Sequence, residues 1–154
     1  MSILVIYSSK LKKIFFLLLV YLFCLILFYL IEADRNIFYI LVFASFFNDT
    51  VAYLSGRFIG GPTIIPYISP KKTWSGTLVS FFMTAFVLYY FNFNIFISMI
   101  IAVSFFFGDI FFSYFKRHLN LKDFSNSLGE HGGILDRIDS MFFVAIILQI
   151  YLVF

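Results

Sequence analysis

Five long apolar stretches constrain the fold of this chain more than any other feature of its sequence. Each approaches the length of about 20 mainly apolar residues that a membrane-spanning helix needs. The stretches cover residues 14–31, 37–55, 77–91, 95–115 and 134–154, with short polar segments between them. This pattern predicts an all-α fold, a polytopic integral membrane helical bundle with about five transmembrane helices. We expect residues 1–154 to form a single transmembrane domain.

Composition excludes the main alternatives. Apolar residues make up 62% of the chain and charged residues 12%, whereas soluble domains average about 45–50% and about 25%. Cys24 is the only cysteine, so a disulfide scaffold is excluded. The first apolar stretch follows three lysines, as in a signal peptide, but its length and the absence of a small-x-small cleavage site favour an uncleaved anchor.

The basic residues predict the orientation of the bundle. With five spans, the long polar loops at 60–76 and 116–133 lie on the same side as the N-terminus. Every Lys and Arg except Arg35 falls on that side. Because Lys and Arg accumulate in cytoplasmic loops, we expect the N-terminus and both loops to be cytoplasmic.

The second and fourth predicted spans each hold a single carboxylate, Asp49 and Asp109. A carboxylate in the hydrocarbon costs about 2.5–3.5 kcal/mol on insertion scales, so such residues are candidates for function. For Asp49, a structural pairing with Arg57 two turns later is a serious alternative. For Asp109 a functional role is favoured, because Ser113, Lys116 and Arg117 continue its helix face toward the cytoplasm.

A second pair of acids, Asp136 and Asp139, is spaced so that both share one helix face with Ser140. Two acids at this spacing repel unless a cation lies between them, and hard oxygen ligands suit Mg²⁺. The alternative is that they complement the dipole at a helix start. Asp109 and Asp123 belong to the same region as this pair. A helix dipole needs only one acid, so a group of four favours a cation site.

Six loop cations surround these acids. As an alternative to catalysis they would anchor the protein to anionic lipids, but interleaved acids and bases better suit a metal and cations that neutralise a polyphosphate. Glycines flank His131, so backbone N–H groups there could approach a phosphate. Whether His131 is an acid, a ligand or a hydrogen-bond donor is open. The six cations are Lys71, Lys72, Lys116, Arg117, Lys122 and Arg137.

The segment from Ser69 to Thr73 combines a proline, which fixes an extended turn, with two lysines and a hydroxyl. It suits phosphate binding. Thr73 or Ser75 would also serve as the N-cap of the third span, and the two interpretations are compatible.

These motifs together resemble the signature of the phosphatidate cytidylyltransferases, which are integral membrane enzymes that make CDP-diacylglycerol. The resemblance covers about residues 48–140. It differs at Ser75, where the family usually has Glu, and at Gly129-Glu130, where it usually has Pro-Gly. The matching residues are Asp49, Ala52-Tyr53, Gly56-Arg57, 69–74, 113–117, Lys122-Asp123 and 129–139.

The resemblance implies transfer of a cytidylyl group from CTP to phosphatidate, giving CDP-diacylglycerol and pyrophosphate in phospholipid biosynthesis. It implies Mg²⁺ as cofactor, held by Asp109, Asp136 and Asp139. The expected catalytic residues are Asp109, Lys116, Arg117, Lys122, Asp123, His131, Asp136, Arg137 and Asp139. The expected substrate-binding residues are Arg57, Ser69, Lys71, Lys72, Thr73, Ser113, Gly132 and Gly133.

The expected partners are CTP, phosphatidate and membrane lipids, without nucleic acid and with a homodimer left open. We expect a location in the bacterial inner membrane. Two alternatives stay open from the sequence: a CTP-dependent polyprenol or phytol kinase, and a non-catalytic membrane subunit or small transporter.

Overall fold

The computed structural model describes residues 2–118 and 140–153, including the side chains of residues 14, 17–69, 72–118 and 140–152. It contains five helices and one small hairpin within those residues. Their order is α1 (Ser2–Ala33), α2 (Arg35–Ile59), β1 (Thr63–Ile65), β2 (Ser69–Thr73), α3 (Trp74–Tyr90), α4 (Ile95–His118) and α5 (Met141–Val153).

Each helix boundary has a local cause. Asp34 caps α2, because its carboxylate accepts hydrogen bonds from the backbone N–H groups of Asn36 and Ile37 at 2.8 and 3.3 Å. Helix α2 ends at Gly60, which adopts a φ of 69° that glycine tolerates without steric cost. Helix α3 begins directly after Thr73, which is its N-cap.

The loop between α2 and α3 is a short antiparallel hairpin rather than an irregular connection. Thr63 pairs with Thr73 and Ile65 with Ser69, and the register shifts between the two pairs. The backbone N–H of Trp74 donates to the carbonyl of Pro62, so the hairpin leads straight into α3. The sequence predicted only an extended turn here, and the pairing of its two arms was missed.

The core lies mainly among α1, α2, α4 and α5, and Leu88 of α3 also belongs to it. Phe23, Leu41, Phe105, Val144 and Leu148 are fully buried there. The outer surfaces of the helices carry large apolar side chains instead of charges, such as Tyr39, Phe82 and Phe96, which are well exposed. An apolar exterior around a packed interior is the arrangement that a lipid environment favours.

Two close backbone contacts require glycine. At Gly76, a Cβ would lie 3.2 Å from the Gly56 Cα and would strike the Ala52 carbonyl, so α2 and α3 touch there. At Gly108, a Cβ would overlap the backbone of Ser140, so α4 meets the turn before α5. These contacts set the spacing of the helices that frame the site.

Helices α2 and α4 are each long and apolar enough to cross a membrane. Three shorter apolar segments lie in the other helices of the described residues: Leu17–Ala33 within α1, Trp74–Tyr90 and Met141–Leu152. The prediction of an all-α fold with apolar helices is confirmed, whereas the count of five membrane crossings stays a prediction.

Some predicted boundaries were wrong. Helix α1 begins at Ser2 instead of near Ile14, because lysine is a good helix former and the first turns contain no Pro or Gly to stop it. Helix α5 begins at Met141, after a turn at Ser140, rather than running through Ser140 from near Ile134. Residues 134–139 lie outside the described residues.

Candidate functional site

A cleft lies among α2, α3, α4 and the hairpin, and it has two adjoining parts. The polar compartment, of about 170 Å³, is lined by Asp49, Ala52, Tyr53, Ser69, Lys72, Thr73, Gly76, Thr77 and Asp109. The apolar compartment, of about 250 Å³, is lined by Asn48, Asp49, Ala52, Lys72, Thr77, Leu78, Ser80, Phe81, Ala102, Val103 and Phe106. Asp49, Ala52, Lys72 and Thr77 line both, so one continuous cleft joins a polar and an apolar environment.

Lys72 and Asp109 form an ion pair across this cleft. The lysine is on β2 and the aspartate on α4, and their side chains are 20% and 30% exposed. Ser113, one turn after Asp109, donates a hydrogen bond from its hydroxyl to the other carboxylate oxygen at 3.2 Å. The Lys72 ammonium also lies 5.2 Å from the centre of the Phe106 ring, a distance suited to a cation–π contact. Residues 37 apart in sequence are thereby brought together.

Asp49 belongs to the cleft, since it lines both compartments and is partly buried on α2. Arg57, its predicted alternative partner, is exposed and donates a hydrogen bond to the hydroxyl of Tyr53 at 3.3 Å. Tyr53 itself lines the polar compartment. Arg57 therefore contacts the edge of the cleft through a neighbour on its own helix.

Lys116 and Arg117 lie in the last turn of α4, but their environments differ. Arg117 is exposed, and its Nε donates to the carbonyl of Ile68 at the hairpin turn, 3.3 Å away. Lys116 is nearly buried, at 9% exposure. Both positions were predicted to contact phosphate, and the structure adds that Arg117 fastens the hairpin to α4.

The start of α3 is fixed by hydroxyl groups. The Thr73 hydroxyl accepts from the backbone N–H of Gly76 at 3.2 Å, which confirms that Thr73 caps the helix. Ser75 donates to the carbonyl of Gly60 and so ties the start of α3 to the end of α2. This contact of Ser75, one of the two departures from the family pattern, was not predicted.

The sequence also missed three buried polar groups near the cleft. Asn48 is 8% exposed, and its side-chain carbonyl accepts from the Thr84 hydroxyl at 3.2 Å. Ser80, which is 4% exposed, donates to the carbonyl of Thr77 at 3.1 Å. Asn48 is next to the candidate site residue Asp49 in the sequence. That proximity was the signal that could have identified it.

Many predicted site residues lie outside the described residues. The structure therefore does not bring them to the cleft or place them away from it. They are Lys122, Asp123, His131, Gly132, Gly133, Asp136, Arg137 and Asp139, together with the side chain of Lys71.

The described carboxylates of the cleft, Asp49 and Asp109, suit a hard divalent cation. Within residues 2–118 and 140–153, no group of three or more His, Cys, Asp or Glu could hold a metal. Mg²⁺, however, is usually bound by one or two carboxylates, several waters and substrate phosphates. Two carboxylates lining one polar compartment therefore fit this donor set.

Comparison with known proteins gives a consistent result. The model of the cytidylyltransferase family matches residues 3–154. A phosphatidate cytidylyltransferase of Rickettsia bellii (strain RML369-C) is 41% identical over 116 residues, covering 65% of this chain and 50% of the relative. That of Rickettsia conorii (strain ATCC VR-613 / Malish 7) is 40% identical over 123 residues, with coverages of 68% and 54%.

A bacterium of another genus gives a similar match. The phosphatidate cytidylyltransferase of Staphylococcus aureus (strain COL) is 39% identical over 116 residues, covering 69% of this chain and 45% of the relative. The chain thus spans about half the length of the curated relatives it matches. Together with the two helices long enough to cross a membrane, these relatives indicate a membrane protein.

Proposed function

Because this chain belongs to the cytidylyltransferase family, we propose that it transfers a cytidylyl group from CTP to phosphatidate. The products are CDP-diacylglycerol and pyrophosphate. The observation that carries the proposal is the Lys72–Asp109 pair at the junction of a polar and an apolar compartment. A reaction between a water-soluble nucleotide and a lipid needs such a junction.

In the proposed reaction, a phosphate oxygen of phosphatidate attacks the α-phosphorus of CTP. A new P–O bond forms, the bond from the α-phosphorus to the bridging oxygen breaks, and pyrophosphate leaves with the electron pair. The chain need not provide a nucleophile, so its residues act by position and charge. Lys72 would neutralise phosphate oxygens while its contact with the Phe106 ring holds the ammonium at the junction.

Mg²⁺ is part of this proposal. Asp109 would hold it, with Asp49 as the second described carboxylate of the polar compartment and Asp136 and Asp139 as the ligands implied by the resemblance. A bound Mg²⁺ supplies charge that stabilises the leaving pyrophosphate. Ser113 would orient the Asp109 carboxylate through its hydrogen bond.

The proposal also includes the topology: five membrane crossings, with the N-terminus and catalytic loops in the cytoplasm of a bacterium and the helices in its inner membrane. The placement of the basic residues supports it. In this topology, the surrounding lipids contact the apolar exterior of the helices. Light scattering of the purified chain tests whether it forms a homodimer.

Labelled CTP tests the reaction. The purified chain, with phosphatidate in detergent micelles and Mg²⁺, should transfer label from the α-position of CTP into lipid and none from the γ-position. Label from the γ-position would indicate a CTP-dependent lipid kinase instead. Label from neither position would contradict enzymatic function for this chain.

Variants test the site. Lys72→Met and Asp109→Asn should each reduce turnover by about 10²–10³-fold, the usual effect of losing one group that stabilises transition-state charge. Arg35→Gln is the matched control, because Arg35 is an exposed cation at the opposite end of α2. If Lys72→Met and Asp109→Asn keep the turnover of Arg35→Gln, the cleft is not the active site.

A further inference from the structure

Asn48 has a polar side chain at the wall of the apolar compartment, alongside four other polar residues. Its neighbours on this wall include Ala102, Val103 and Phe106 from α4. The side chain is 8% exposed. An amide in such a place costs free energy unless both of its ends are hydrogen-bonded, so its partners are informative.

The carbonyl end of the amide is satisfied. It accepts from the hydroxyl of Thr84, a residue that is itself fully buried on α3. This bond turns the NH₂ group of Asn48 away from Thr84. Within the part of the chain that the structure describes, no hydrogen bond uses that NH₂ group as donor.

The other polar residues of this wall are Asp49, Lys72, Thr77 and Ser80. Asp49 offers a carboxylate, which accepts, whereas the donors are engaged: Lys72 pairs with Asp109, and Thr77 donates to the carbonyl of Thr73. Ser80 donates its hydroxyl hydrogen to the carbonyl of Thr77. Asn48 therefore provides the donor that a ligand in the apolar compartment could use. An uncharged acceptor suits this donor, because Ala102, Val103 and Phe106 also line the compartment.

We propose that Asn48 is a specificity-determining residue that donates a hydrogen bond to an acyl ester carbonyl of the lipid substrate. This inference rests on the proposed function. In a diacylglycerol phosphate the ester carbonyl nearest the phosphate is separated from it by two glycerol carbons and the ester oxygen. With the phosphate at Lys72, which lines both compartments, that carbonyl enters the apolar compartment beside Asn48.

The consequence is a preference for ester-linked over ether-linked lipid. An ether analogue with the same chains has no carbonyl, so the Asn48 donor stays unpaired when it binds. A site built to hydrogen-bond a substrate group discriminates against the analogue that lacks it. For one neutral hydrogen bond we expect an ester-to-ether ratio of about three to ten.

The test compares diacyl phosphatidate with dialkyl phosphatidate of equal chain length, in two measurements on the purified full chain. One is kcat/KM for CDP-lipid formation. The other is displacement of a fluorescent diacyl phosphatidate at equilibrium, which does not require turnover. Each is expressed as the ester-to-ether ratio within one sample, so that the fraction of folded protein cancels.

The wild-type chain should show the ratio of about three to ten in both measurements. Asn48→Leu should bring it to about one by weakening ester binding, with the ether lipid little affected. Asn48→Asp keeps an acceptor for Thr84 but loses the donor, and its ratio should also approach one. Thr84→Val is the matched control, because it breaks the same buried hydrogen bond yet leaves the Asn48 NH₂ group, and it should keep most of the preference.

The outcomes separate this inference from the proposed function. Equal use of both lipids by the wild-type chain, or an unchanged ratio in both Asn48 variants, overturns the role of Asn48 while leaving cytidylyl transfer intact. Selective binding of the ester without any CDP-lipid supports Asn48 and contradicts the proposed reaction. Failure to bind either lipid overturns both.

Discussion

Lys72 shows at the scale of one residue how this chain places a charge next to an apolar environment. Its ammonium pairs with Asp109 and lies over the Phe106 ring, and a fifth of its side chain remains exposed. Partly exposed ion pairs contribute about 0–1 kcal/mol to stability. The value of the pair is therefore positional, since it holds a cation where the two compartments join.

Gly108 gives a prediction about stability at the same scale. Gly108→Ala should lower the free energy of unfolding by about 1–3 kcal/mol, the usual cost of overpacking, because the new Cβ overlaps the backbone of Ser140. Thermal unfolding in detergent measures it. Met99→Ala, at a 41% exposed position of the same helix, should change stability much less, and equal effects of the two would contradict a close contact at Gly108.

The β1–β2 hairpin is the element on which the site depends, because it carries Lys72 and leads into α3. It is attached to α4 at two points, through Lys72 to Asp109 and through the Ile68 carbonyl to Arg117. These attachment points on α4 are eight residues apart, about two helical turns. The hairpin therefore lies along α4 and is not a free loop.

The cap at Thr73 allows a test of this element. Thr73→Ala should destabilise the chain by about 0.5–2 kcal/mol, the range for losing an N-cap, because the backbone N–H of Gly76 loses its acceptor. Thr73→Ser retains the hydroxyl and should recover most of the loss. Thermal unfolding and helical circular dichroism measure both variants, and equal destabilisation by Ala and Ser would show that the hydroxyl is not the cause.

The helices and the hairpin show which features of the fold could be predicted from the sequence and which could not. Apolar runs predicted the helices, and the facing of Asp109 toward Ser113 followed from helical periodicity and is confirmed. The Lys72–Asp109 pair was not predicted as a contact, because it depends on how a hairpin folds back on a distant helix. Asn48 was missed because its place beside Asp49 does not reveal a buried amide, whereas packing brings it against Thr84 and the apolar compartment.

The placement of charge characterises the whole molecule. Large apolar side chains cover its outside, and all Lys and Arg residues but Arg35 fall on the side predicted to be cytoplasmic. Tyr67, in the hairpin, is 95% exposed, and Tyr90, at the far end of α3, is 76% exposed. Tyr67 precedes the start of α3 and Tyr90 is at its end, so the two positions can be used to label the opposite ends of this helix.

Labelling of single cysteines tests this orientation. In a Cys24→Ser background, Tyr67→Cys should react with a membrane-impermeant maleimide only in inside-out vesicles, and Tyr90→Cys only in right-side-out vesicles. This result is expected because the proposed topology has α3 crossing the bilayer between them. The background variant without cysteine is the control for non-specific labelling. Reaction of both cysteines from the same side would contradict the topology.

The Lys72–Asp109 pair also bears on the biogenesis of the protein. A lone aspartate is among the costliest residues to pass from the translocon into lipid. Because Lys72 precedes Asp109 in the chain, its ammonium is already synthesised when α4 emerges. In the proposed topology, the short connection between Tyr90 and Ile95 would let α3 and α4 enter the membrane as a pair. With the proposed topology, the acid would then enter lipid together with its counter-ion, and the upstream hairpin would neutralise the group proposed for chemistry.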